Sequence, residues 1–297
     1  MRVLIAGASG LVGQELARQL RLAGDEPIRL VRRAPADAAE IRWDPSTGQL
    51  DEAALHGIDA VVNLSGASIG KLPWSKAYKT QLVDSRINST RTLVEAINRA
   101  STMPRVFVSG SASGYYGDAG DTQLNEDSPL GSGFLADLCF KWESEARRVD
   151  PSVRLVIIRT AIVLSKTEGA LSRVLPLVRL GIGGPLGNGR QWWPWISVTD
   201  EARAIVHLLH TETAAGPFNL VAPEPATCGQ IIASLAKAAH RPYGVPAPGF
   251  ALRMLLGLAA DEMLLSSQRM SSAKLQGTGF EFEHKHLDET ADWLVSR

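Results

Sequence analysis

Gly7, Ser9, Gly10, Leu11, Val12 and Gly13 stand together near the start of this 297-residue chain, and their types and spacing suit the binding of phosphate. Gly7 ends the apolar run Val3-Leu4-Ile5-Ala6 in a tight turn. Gly10 lets the backbone approach a pyrophosphate, and Gly13 lets the following helix pack close to the sheet. The unpaired N–H groups and positive dipole end of that helix then face the phosphates. Leu11, Val12, Leu16, Leu20 and Leu22 fall on one helical side, Gly24 closes the helix, and Ile28-Arg-Leu-Val31 starts a second strand. A complete β-α-β unit therefore surrounds the glycines, which is the setting that separates a dinucleotide site from an ordinary turn.

At the end of that second strand an acidic residue would accept from the adenosine ribose of NAD, yet Val31 is followed by Arg32 and Arg33. Guanidinium groups pair with a 2′-phosphate through charge-assisted, often bidentate hydrogen bonds. The residues thus predict NADP(H) as the cofactor, with a solvated basic loop end as the alternative.

The elements that must position these groups alternate through the first half of the chain. Strand-like runs at 60–64, 105–109 and 154–158 are separated by helix-like stretches near 85–100 and 133–149. This order predicts an α/β fold with a Rossmann-type doubly wound parallel sheet and a smaller C-terminal substrate lobe. Ligands in such sheets lie beyond the carboxyl ends of the strands. Leu64, Ser65, Gly66 and Ala67, then Ser109 and Gly110, then Arg159, are accordingly expected to face the cofactor, with Arg86 bordering it from the helix after the 60–64 strand. A Rossmann domain is expected over 1–164, with 196–223 returning to it, and the smaller lobe over 165–195 and 224–297.

Composition narrows the functional classes. Thirty-one basic and thirty-one acidic residues cancel, so overall charge invites neither nucleic acid nor an anionic membrane. There is no apolar run of about twenty residues, and the first strand starts at Arg2, so a cytoplasmic protein is expected. Cys139 and Cys228 lack CxxC spacing and read as reduced thiols. His207 with His210, and His284 with His286, have no carboxylate or cysteine partner at ligand spacing, so no metal is expected.

Three separated motifs occur in order: Gly7-Ala-Ser-Gly10-Leu-Val-Gly13, Ser109-Gly-Ser111-Ala-Ser-Gly-Tyr115-Tyr116-Gly117 and Arg159-Thr-Ala-Ile-Val-Leu164. With them the chain resembles the extended short-chain dehydrogenase/reductases. The stretches Gly181–Trp192, Trp195–Asp200 and Leu264–Arg269 are similar to those of an atypical branch, the sugar-nucleotide epimerase-like proteins with a C-terminal extension. That resemblance implies an NADP(H)-dependent oxidoreductase or epimerase-like enzyme acting on a small polar molecule, with a nucleotide sugar among the candidates. By analogy it also points to a homodimer through the helices near 85–100 and 133–149.

The superfamily's Tyr-x-x-x-Lys pair is missing. Aligning Glu143 with the acidic residue later in the helix puts Leu135 at the tyrosine position and Cys139 at the lysine position. A second departure is Arg86, where extended members place an asparagine. Another proton donor is then required, and Tyr116 is the first choice, with Ser111 beside it and Tyr115 and Ser113 nearby. The alternative is that the tyrosines only line the pocket. Arg190, Gln191 and Trp192 combine a cation, an amide and an aromatic face, a set that suits substrate binding; loop anchoring is the competing role. The missing pair also keeps open a non-catalytic NADP(H)-sensing binding protein.

Overall fold

The computed structural model describes residues 1–169, 171 and 174–296. Residues 170, 172, 173 and 297, which fall in the two stretches expected to form the smaller lobe, lie outside the described residues.

Alternate side chains of the first strand enter different cores, as the two-residue period of a strand requires. Val3 and Ile5 join one cluster, Leu4 and Ala6 the other. The strand is β1 (Arg2–Ala6); it is followed by β2 (Glu26–Val31), β3 (Glu40–Arg42), β4 (Ala60–Asn63), β5 (Val106–Ala112), β6 (Gln123–Leu124), β7 (Arg154–Thr160), β8 (Ile162–Leu164), β9 (Trp195–Ser197), β10 (Gly216–Leu220) and β11 (Arg269–Met270). Seven of these form one parallel sheet in the order β10-β7-β5-β4-β1-β2-β3. The chain order reverses at β1, with β2 on one side and β4 on the other. That is the switch point at which open α/β sheets hold ligands.

The helices are α1 (Leu11–Leu22), α2 (Lys76–Arg99), α3 (Phe134–Ala146), α4 (Val174–Arg179), α5 (Val198–His210), α6 (Cys228–Ala238), α7 (Gly249–Leu256), α8 (Ala273–Gly277) and α9 (Leu287–Val295). Helices α1 and α5 pack together on the Val3/Ile5 face. Leu93 and Ile97 of α2 and Ala146 of α3 cover the Leu4/Ala6 face. A third core joins α4, α6 and α9 around Trp193 and Trp195, with Leu287, Ala291 and Leu294 packed on the α6 cluster. The doubly wound sheet expected from the sequence is therefore present, flanked by a largely helical C-terminal region. No helix among the described residues is long and apolar enough to cross a membrane.

Two elements differ from expectation. The sheet gains β3, a three-residue edge strand whose Glu40 carboxylate receives Arg33 at 2.6 Å and Arg29 at 3.4 Å. Helix α2 starts at Lys76 rather than near residue 85, because Ser75 caps it by accepting from the Tyr78 N–H. Its first turns are mostly polar and leave little apolar periodicity to read.

Candidate functional site

The turn between β1 and α1 is built around its glycines. Gly7 has φ +85°, and a Cβ there would lie 2.7 Å from the Leu64 carbonyl. A Cβ on Gly13 would stand 2.2 Å from the Gly7 oxygen, so neither position admits a side chain without backbone movement. Helix α1 follows Gly10 at its N-cap, with no side-chain cap and no acidic residue in its first turn. Its leading N–H groups are thus left for a partner beyond the strand ends. Leu11 and Val12 supply that first turn, and the backbone carbonyl of Ser9 accepts from Gln14 Nε2 at 2.8 Å.

The two arginines after β2 behave differently. Arg33 donates both terminal nitrogens to Glu40, at 2.6 and 2.7 Å, and its guanidinium, followed by the Ala36 N–H, pulls the Glu40 carboxyl down to about 2. Arg32 is exposed and has no ion-pair or hydrogen-bond partner among the described residues.

Beyond β4, the loop Leu64-Ser65-Gly66-Ala67 is pinned at three points. The Leu64 N–H bonds the Ala6 carbonyl at 2.8 Å, the Ser65 N–H bonds Asn63 Oδ1 at 3.1 Å, and the Ala67 N–H bonds Ser85 Oγ at 2.9 Å. Arg86, from α2, lies directly beneath Gly66: a Cβ there would be 2.9 Å from the guanidinium carbon.

A buried polar network runs across the ends of β5, β7 and β10, where the register sets Ser111 opposite Arg159 and Arg159 opposite Asn219. Arg159, 2% exposed, donates to both oxygens of Glu143 at 2.9 and 3.1 Å, and to the Tyr116 hydroxyl at 2.9 Å. Ser111 Oγ donates to Glu143 at 2.8 Å, and the Tyr116 hydroxyl donates to Asn219 Oδ1 at 2.7 Å. The Tyr115 ring lies 3.5 Å from the guanidinium carbon. Burial disfavours charge on both members of the pair, yet each is held ionised by the other, Glu143 below its ordinary range and Arg159 above it. Burial pushes the Tyr116 phenol up to about 12. Its hydroxyl donates and accepts inside the protein, so the first-choice proton donor has both hydrogen-bonding roles filled, and Arg159 is turned into the network rather than toward an open cleft. Ser109 is fully buried in β5, and Gly110 beside it makes room for the Trp142 ring.

Leu135 and Cys139 lie one turn apart on α3. The thiol donates to the Ala112 carbonyl at 3.8 Å, and burial, reinforced by the Glu143 charge, pushes it up to about 12. It is a neutral group at physiological pH.

The three residues expected to bind substrate do not share one environment. Gln191 is buried and donates to the carbonyls of Leu186 at 3.0 Å and Leu264 at 2.8 Å, anchoring its loop to the C-terminal region. Half-buried Trp192 donates its indole N–H to Asp121 at 2.9 Å under the Arg269 guanidinium. Arg190 is exposed. Ser111, Tyr116 and Arg159 are brought together; the 190–192 loop makes no hydrogen bond to any of them.

Sequence reasoning missed Glu143, Glu126 and Asn219 as members of the network. Asn219 carried a readable signal, a polar side chain inside the apolar run Phe218-Asn-Leu-Val221, since a buried amide requires partners. Glu126 sits in a loop without periodicity, where nothing marks its carboxylate oxygen as the acceptor for the Asn219 N–H at 2.8 Å.

Comparison with known proteins gives a consistent outcome. The chain is 40% identical over 296 residues to an epimerase family protein of Mycobacterium leprae, covering 99% of this chain and 96% of that protein. It is 33% identical to the human epimerase family protein SDR39U1, over the full length of both. The crystal structure of that human protein (isoform 2), solved with NADPH, superposes with a TM-score of 0.92 at 31% identity, over 99% of each chain. A UDP-N-acetylglucosamine 4-epimerase from Bacillus cereus, 18% identical with a TM-score of 0.79 over 99% of this chain and 98% of its own, shares the fold. Residues 247–294 match a domain of unknown function, DUF1731. With residues 3–221 matching its sequence profile, the chain belongs to the NAD dependent epimerase/dehydratase family.

Proposed function

We propose that this protein is an NADP(H)-binding enzyme of the oxidoreductase or epimerase type that acts on a small polar molecule, with nucleotide sugars among the candidate substrates. The single observation that carries the proposal is the glycine-built turn before an uncapped helix, with the unpaired Arg32 at the neighbouring strand end. These residues fit the cofactor: a side chain at Gly7 or Gly13 would fill the cradle, and no carboxylate among the described residues pairs with Arg32. The NADPH in the human relative's crystal structure supports the same choice.

In this proposal the backbone of Gly7 to Val12 binds the pyrophosphate, Arg32 pairs with the 2′-phosphate, and the Leu64 to Ala67 loop borders the ribose and ring. The nicotinamide, when bound, supplies or accepts a hydride. Ser111, Tyr116 and Arg159 form a rigid floor whose ions and hydroxyls are mutually satisfied. Tyr116 and Ser111 therefore position the site, and the protein delivers no proton from the phenol. The Rossmann region is assigned to 1–164 with 196–223, and the remainder to a smaller substrate lobe. Leu135 and Cys139 favour a second function, a non-catalytic protein that senses NADP(H), because neither side chain replaces the usual acid–base pair.

A fluorescence titration with NADPH and NADH tests the proposal through energy transfer from the seven tryptophans. Tighter NADPH binding is expected, with the preference reduced about tenfold or more by Arg32→Ala. Arg33→Ala should change it less, because Arg33 is already engaged with Glu40. Absence of binding by either nucleotide would refute both the enzyme and the sensor.

A further inference from the structure

Among the described residues Arg86 is a cation without a carboxylate partner. Its guanidinium is half-buried, and only Nη1 is engaged, by the Leu82 carbonyl at 3.1 Å, among the described residues. The buried carboxylates of α3 are committed elsewhere, Glu143 to Arg159 and Arg147, Glu145 to Arg91 and Arg148. The neighbouring Cys139 is held as a neutral thiol by burial. Burial consequently pulls Arg86 below its ordinary range.

A second unpaired donor lies against it. Trp142 is 6% exposed, its indole N–H has no partner among the described residues, and the centre of its ring lies 5.3 Å from the Arg86 guanidinium carbon. The Cζ2–Cη2 edge of the same ring lies against Gly110, where a Cβ would come within 2.8 Å. Glycines at the ends of two adjacent strand regions, Gly66 beyond β4 and Gly110 in β5, therefore make room for a guanidinium and an indole that share no internal acceptor. A buried N–H without an acceptor is costly, and a guanidinium beside it selects an acceptor bearing negative charge.

We propose that Arg86 and Trp142 form a binding site for an oxyanion, the carboxylate or phosphate of the substrate. This assignment rests on the proposed cofactor placement. In that placement the pyrophosphate is held at Gly7 to Val12 and the 2′-phosphate at Arg32. The strand order sets β4 and β5 on the far side of β1 from β2, so no cofactor phosphate is left for Arg86. The substrate is then an anionic molecule, and its charged group lies over the strand ends next to Ser111 and Cys139.

The test is a ¹⁵N-indole NMR titration of the full chain loaded with NADPH, adding inorganic phosphate or acetate at constant ionic strength, with chloride as control. Trp142→Phe assigns the resonance. The Trp142 N–H signal is expected to move saturably with phosphate, with affinity about tenfold or more weaker in Arg86→Met and partly restored in Arg86→Lys. No saturable movement in the unmodified chain, or the same curve in Arg86→Met, would overturn the proposal. A response that occurs without NADPH and disappears when it is added would also overturn it, by giving the site to the cofactor. If NADPH does not bind at all, the cofactor placement fails and the substrate assignment fails with it, while the phosphate titration of the free chain still decides whether the two side chains hold an oxyanion. Should Arg86→Met not fold, the unmodified chain and Arg86→Lys give the same decision.

Discussion

Tyr116 and Glu201 show how much the chemistry of a side chain depends on what surrounds it. Tyr116→Phe removes the donor to Asn219 Oδ1 and an acceptor of Arg159, both buried. A loss of about 1–3 kcal/mol is expected, read as a lower urea midpoint with unchanged slope and NADPH affinity retained. Glu201, 1% exposed, accepts among the described residues only from Thr160 Oγ1 at 2.7 Å, and burial pushes its carboxyl up to about 8. The folded protein keeps this proton where the unfolded chain, with a carboxyl near 4.5, has lost it. Stability from this group is thus full below the unfolded value and falls as pH rises toward about 8, after which it changes no further. Glu201→Gln should remove that slope: its advantage in thermal midpoint over the parent grows from pH 5 to 8, and parallel melting curves across that range would show the carboxyl to be ionised throughout.

Among the elements, α3 depends on a residue far away in sequence. Its N-cap is Gly133, which has no side chain, and the Glu262 carboxylate instead accepts from the Phe134 and Leu135 N–H groups at 2.8 and 3.1 Å. A charged cap at a helix N-terminus is worth about 1–2 kcal/mol, so Glu262→Ala should lower stability by that amount, while Glu262→Gln keeps part of it. Hydrogen exchange should locate the loss in the first turn of α3; uniform loss over the molecule would contradict a local cap. The sequence made the β1-α1-β2 unit readable because glycine spacing, apolar runs and helix periodicity agree there. It concealed β3, two of whose three residues are charged and whose place depends on ion pairs with Arg29 and Arg33. It equally concealed the cap, since nothing local to Glu262 announces a partner in another element. The glycine turn was legible for the same local reasons, whereas the Arg159 network required knowing which strand ends lie side by side.

For the molecule as a whole, the C-terminal region is joined to the rest through packing and polar contacts together. Leu287, Ala291 and Leu294 of α9 bury against the α6 cluster, and uncovering them costs on the order of 5 kcal/mol, comparable with the stability of an entire domain. A chain ending at residue 286 should therefore lose its cooperative thermal transition and bind a hydrophobic dye; an unchanged transition would mean that the third core stands without α9. The Glu262 contact adds an order in time. Residues 134 and 262 are separated by 128 positions, so α3 leaves the ribosome with its first turn bare and waits for the carboxylate. At about 5–20 residues per second that interval is on the order of ten seconds, a window in which chaperones meet the helix unfinished.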